Sequence, residues 1–131
     1  MENKSNEATP LRPKGDRLLN ADIVEMDLNF FIEQLRNEST WKESDRNSIT
    51  IFKNDRMRIV LLGLHKGTEL TRHTANGIIS VQVLEGKINF TAESEATTLQ
   101  KGQMIVLREK IPHSVKALEE SFFLLTLAIG S

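Results

Sequence analysis

Three histidines, His65, His73 and His113, are the residues of this sequence best suited to chemistry, and there is no cysteine beside them. An imidazole can ligate a metal, accept or donate a hydrogen bond, or move a proton near neutral pH. The absence of thiols removes disulfides, thiolate metal sites and cysteine nucleophiles together. His73 sits in "GTELTRHTANGIISVQVLEG", residues 67–86, with Glu69 four residues before it. His113 follows a proline in "REKIPHSV". A histidine pair of this kind could also bond to each other, to water or to a backbone carbonyl with no metal involved.

Other chemistries leave no trace. The sequence has no G-x-S-x-G nucleophile turn, no G-x4-G-K-[ST] phosphate loop and no G-x-G-x-x-G dinucleotide loop. A formal charge of -1, from 17 basic and 18 acidic residues, gives no long-range pull toward nucleic acid or an anionic membrane. The start, "MENKSNEATPLRPKGD", has no apolar run for a signal peptide, and the longest apolar run, "FFLLTLAI", is too short to span a bilayer. A cytoplasmic protein without nucleic-acid or membrane partners is expected.

The histidines need elements to position them. Residues 1–16 offer little to bury and are expected to form a mobile tail ahead of a single domain, 17–131. Leu28, Phe31, Ile32 and Leu35 repeat at helical spacing behind Asp27, which predicts one capped helix over about 27–38 with its apolar stripe on a sheet. Trp41 is expected to pack the end of that helix on the domain. About nine short strands follow within about 48–128, including 48–52, 57–64, 78–84, 87–92, 96–100, 104–107, 113–118 and 121–128. No helical pattern separates them, which excludes parallel βαβ units.

Glycine-to-histidine spacings tie strands to site. Gly67 precedes His73 with five residues between them, Gly86 lies thirteen beyond His73, and Gly102 lies eleven before His113. With "VQVLEGKINF" between them, these residues resemble the cupin family, whose motifs run G-x5-H-x-H-x3/4-E-x6-G and G-x5-P-x-G-x2-H. The resemblance implies an all-β double-stranded β-helix, or jelly-roll barrel, here with one N-terminal helix. It places His73 and His113 at two of four ligand positions. Ala75 and Ile79 stand where the other histidine and the carboxylate would be, and Arg108 and Lys110 replace the proline and glycine of the second motif.

Strand alternation puts 73, 75, 79, 81 and 83 on one face, so an inward His73 shares the interior with Ala75, Ile79, Val81 and Val83. That face is an apolar ligand pocket with histidines. A catalytic metal generally needs three protein ligands. A third would have to come from His65, at the end of the preceding strand, or from Glu69 in the turn between. The cofactor the resemblance allows is a divalent transition metal: zinc, nickel, iron or manganese. Arg108 or Lys110 would gate the mouth for an anionic ligand.

Three functions stay open, and whether the protein is an enzyme stays open with them. The apolar set favours a small-molecule-binding barrel. The others are a metal-dependent enzyme of oxygenase, isomerase or lyase type with an atypical histidine site, and a regulatory protein-binding domain. Exposed sheet edges and the apolar strand "FFLLTLAI" would suit a homodimer.

Overall fold

The computed structural model describes residues 21–130, so the expected tail, 1–16, lies outside the described residues. Helix α1 (Leu28–Asn37) starts at Asp27, whose carboxylate accepts from the N–H groups of Asn29 and Phe30 at 3.1 and 3.2 Å. Those are orphan donors of the first turn, and a side-chain cap satisfies them. A second helix, α2 (Ser39–Glu43), was not expected from the sequence. It forms because the chain turns at Glu38, which is extended, and winds on far enough to bury Trp41.

Nine strands follow: β1 (Arg46–Lys53), β2 (Met57–Leu64), β3 (Glu69–His73), β4 (Gly77–Glu85), β5 (Lys87–Ala92), β6 (Glu95–Gln100), β7 (Met104–Leu107), β8 (His113–Ala117) and β9 (Ser121–Ile129). They pair antiparallel in two sheets, ordered β1-β2-β9-β4-β7 and β3-β8-β5-β6. This is the all-β jelly-roll barrel. The strand missed in the sequence is β3. Its outward residues are polar and only Leu70 offers an apolar signal, so Glu69 lies in a strand and not in a turn.

The core has two parts on either side of one sheet. Inside the barrel, Val60, Leu62, Val81, Val83, Phe90 and Phe123 pack between the sheets. Outside it, Ile32, Leu35 and Trp41 cover Ile49, Leu61 and Phe122. The run "MRIVLLGL" is continuous rather than alternating because both faces of β2 are covered. Burying each such large side chain contributes about 1.5–3 kcal/mol. Gly63 permits the second layer, since a Cβ there would lie 2.5 Å from the Phe122 ring and 3.1 Å from Trp41.

"FFLLTLAI" is not an edge. It forms β9, paired with β2 on one side and β4 on the other, so it cannot pair two barrels edge to edge. The exposed apolar side chains Ile78, Met104 and Val106 instead belong to β4 and β7, at the end of the five-stranded sheet. No helix among the described residues is long and apolar enough to cross a membrane.

Candidate functional site

β3 and β8 bring His73 and His113 together as directly paired residues. The spacing along β3 requires help. Leu70 pairs with Val115 and His73 with His113, three residues on one strand against two on the other. That bulge undoes the ordinary alternation. Leu70 and His73 therefore line the same cavity, although strict alternation would put them on opposite faces.

The two rings meet edge to face, with centroids 4.3 Å apart and planes at 61°. Phe90 lies nearly parallel to the His113 ring at 5.6 Å. His113 is buried, at 4% exposure, whereas His73 is exposed at the rim. Nδ1 of His73 lies 2.8 Å from the carbonyl of Thr71, and Nδ1 of His113 lies 2.9 Å from the carbonyl of Ile111. A carbonyl can only accept, so both Nδ1 atoms carry the proton. In the uncharged ring that leaves each Nε2 as a lone pair. Burial holds the His113 imidazole below its ordinary pKa; the Ile111 carbonyl opposes this and the neighbouring His73 adds to it.

A cavity of about 680 Å³ opens between the sheets at this pair. Small-molecule sites commonly measure about 300–1,000 Å³. Its wall is mainly apolar, with Leu62, Val81, Phe90, Val115, Phe123 and Leu125. Thr71, Thr74 and Arg46 add polar groups. Behind the pair lies a second space of about 20 Å³, lined in part by Arg58, Ala75 and Ile79. It has room for about one water.

Of the expected pocket residues, Val81 lines the large cavity, and Ala75 and Ile79 line the small one. Val83 lines neither. It is fully buried, paired with Phe123, and serves as core. The cations that line the cavities are Arg46 and Arg58, not Arg108 or Lys110, which stay exposed in the turn before β8. Neither arginine stood out in the sequence, because both lie on strands that reach the site only through the sheet order.

The third ligand positions do not reach the pair. His65 turns to the helix side, where its Nε2–H donates to the Trp41 carbonyl at 2.7 Å and its ring stacks on Trp41 at 3.6 Å. Glu69 is exposed beside inward Leu70 and sits opposite Lys116, on the outer face of the sheet. Among the described residues, no group of three or more His, Cys, Asp or Glu is placed to hold a metal ion. Two imidazoles with a guanidinium behind them do not fit a resident catalytic metal with three protein ligands.

The chain matches no family model. No curated protein matches it either. Solved structures do. A conserved protein of unknown function from Streptococcus pyogenes is 30% identical, with a TM-score of 0.64, over 72% of this chain and 86% of that one. A cupin superfamily protein from Desulfitobacterium hafniense has a TM-score of 0.65 at 17% identity, over 67% of this chain and 81% of that one. Salicylate 1,2-dioxygenase from Pseudoaminobacter salicylatoxidans, solved with gentisate, has a TM-score of 0.72 at 19% identity, over 88% of this chain and 37% of that one. The neighbours thus span an enzyme and proteins without assigned function. The antiparallel barrel, the paired His73 and His113 at its mouth, and these structural neighbours agree that the chain folds as a cupin-type barrel domain.

Proposed function

We propose that this protein is a small-molecule-binding barrel whose ligand occupies the cavity of about 680 Å³ and donates hydrogen bonds to Nε2 of His73 and His113. One observation carries the reading: each ring spends Nδ1–H on a backbone carbonyl, so both fixed lone pairs are left for a guest. Such a site has the usual form of an apolar pocket with a few convergent polar groups. The test is a screen of small, partly apolar compounds by melting temperature. A ligand at a hundred times its Kd adds about 2.7 kcal/mol to stability. That gain should shrink in His73→Ala and His113→Ala. A broad screen in which no compound raises the melting temperature would count decisively against the proposal.

A second reading, a metal-dependent enzyme, draws on the same tautomers. Metal-bound histidines usually donate their other N–H to a carbonyl or carboxylate. It requires a ligand beyond the two that β3 and β8 supply. Elemental analysis of untagged protein separates the readings: one transition-metal ion per chain, lost in His73→Ala and His113→Ala, would favour the enzyme. The exposed Ile78, Met104 and Val106 support a homodimer as the working assembly. Sedimentation at micromolar concentration tests it, and a monomer throughout would refute it.

A further inference from the structure

Resting on the binding reading above, we infer that the ligand is a small carboxylate with an apolar body and a separate hydroxyl or N–H donor. The two ends of the site ask for opposite chemistry. The imidazole pair presents two acceptors, Nε2 of His73 and of His113, because both Nδ1–H groups are committed to Thr71 and Ile111. Lone pairs repel a carboxylate and accept from a neutral donor.

Arg46 presents the reverse. Its Nε and Nη2 bind the Asp45 carboxylate at 2.8 and 3.1 Å, and Nη2 also reaches the Glu69 carbonyl at 3.4 Å. Its Nη1 donors remain for a guest, and Arg46 lines the same cavity as the histidines. A guanidinium is the side chain best matched to a carboxylate. Asp45 itself does not line the cavity, and its carboxylate is 57% exposed. The pair is bidentate through Nε and Nη2, so a bound anion shares the guanidinium with Asp45 and meets it on the Nη1 edge.

The charge lining selects further. The large cavity carries Arg46 and, among the described lining residues, no carboxylate. An ammonium group would find no counter-ion there, so the donor end of the ligand is neutral. Between the two ends, Leu62, Phe90 and Phe123 supply an apolar wall suited to a ring or a branched chain.

The experiment is calorimetric titration with four matched probes: 4-hydroxyphenylacetate, 4-hydroxyphenylacetamide, phenylacetate and 4-hydroxyphenethylamine. The first should bind about tenfold more tightly than the amide and the amine, the gain expected from one hydrogen bond to a charged group, and about fivefold more tightly than phenylacetate, which loses one bond to a neutral imidazole. Arg46→Gln should bring the acid down to the level of its amide, and Arg46→Lys should recover part of the loss. His113→Ala should close the gap between 4-hydroxyphenylacetate and phenylacetate. Arg46 is exposed at the rim, so its replacements leave the core intact. Equal or tighter binding of the amide or the amine overturns the inference, as does a preference that survives Arg46→Gln. Binding by none of the four also overturns it. The binding reading still stands in that case if the melting-temperature screen finds neutral ligands, and falls if it finds none.

Discussion

His73 and His113 face each other across one antiparallel register position, 4.3 Å between ring centroids, each anchored by Nδ1 to the carbonyl two residues before it. The anchors fix the rings before any ligand arrives, and this pre-organisation limits the entropy lost on binding. The same relationship makes the site sensitive to protons, to the neighbouring strand and to the helix layer behind it.

Acid should destabilise the fold through His113. Burial lowers its folded-state pKa below the ordinary value of 6.5. Between those two values the unfolded chain binds the extra proton, so stability rises with pH through the window. It is fully present above 6.5 and is lost as pH falls below it. One proton limits the slope to about 1.4 kcal/mol per pH unit. Melting temperature against pH should show this slope in the native protein and lose it in His113→Asn.

His65→Ala should cost stability and spare the cavity. It removes a hydrogen bond to the Trp41 carbonyl and a stacked ring. The carbonyl left behind costs about 1–3 kcal/mol. Denaturant titration should register that loss while cavity ligands bind with native affinity. A change in metal content or ligand affinity in this variant would contradict the placement of His65 on the helix side.

Gly63→Ala should loosen the helix layer. The new methyl group would meet the Phe122 ring at 2.5 Å, and the ring is held by Trp41 at a centroid distance of 5.1 Å. Overpacking of this kind costs about 1–3 kcal/mol. Chemical denaturation should show the drop, and quenching should show a more exposed Trp41.

Much of this molecule is legible in the sequence. The stripe Leu28, Phe31, Ile32, Leu35 behind Asp27 marks α1, because a helix period and a cap are local signals. Ile88 and Phe90 alternate with polar neighbours, and β5 buries that face. The spacings from Gly67 to His73 and from Gly102 to His113 carry the resemblance that implies one shared site, and β3 and β8 pair the two histidines. What escaped the sequence is non-local. The bulge between Leu70 and His73 exists only relative to β8. Arg46 and Arg58 enter the cavities because the sheet order carries β1 and β2 to that wall. His65 turns away because Trp41, on a helix the sequence hides, offers its ring and carbonyl. Val83 looks like pocket lining by alternation, yet Phe123 closes over it.

The binding reading is tested most directly by methyl NMR of the untagged protein, titrated with a library of small, partly apolar compounds. Val81, Val115, Leu62 and Leu125 report on the cavity, and Leu35 and Ile51 report on the helix-side core. The expected result is saturable shifts at the four cavity methyl groups, none at the two controls, and loss of the response in His113→Ala. Cavity signals that stay still for every compound, or shifts that survive His113→Ala at full size, would contradict a ligand held by the paired histidines.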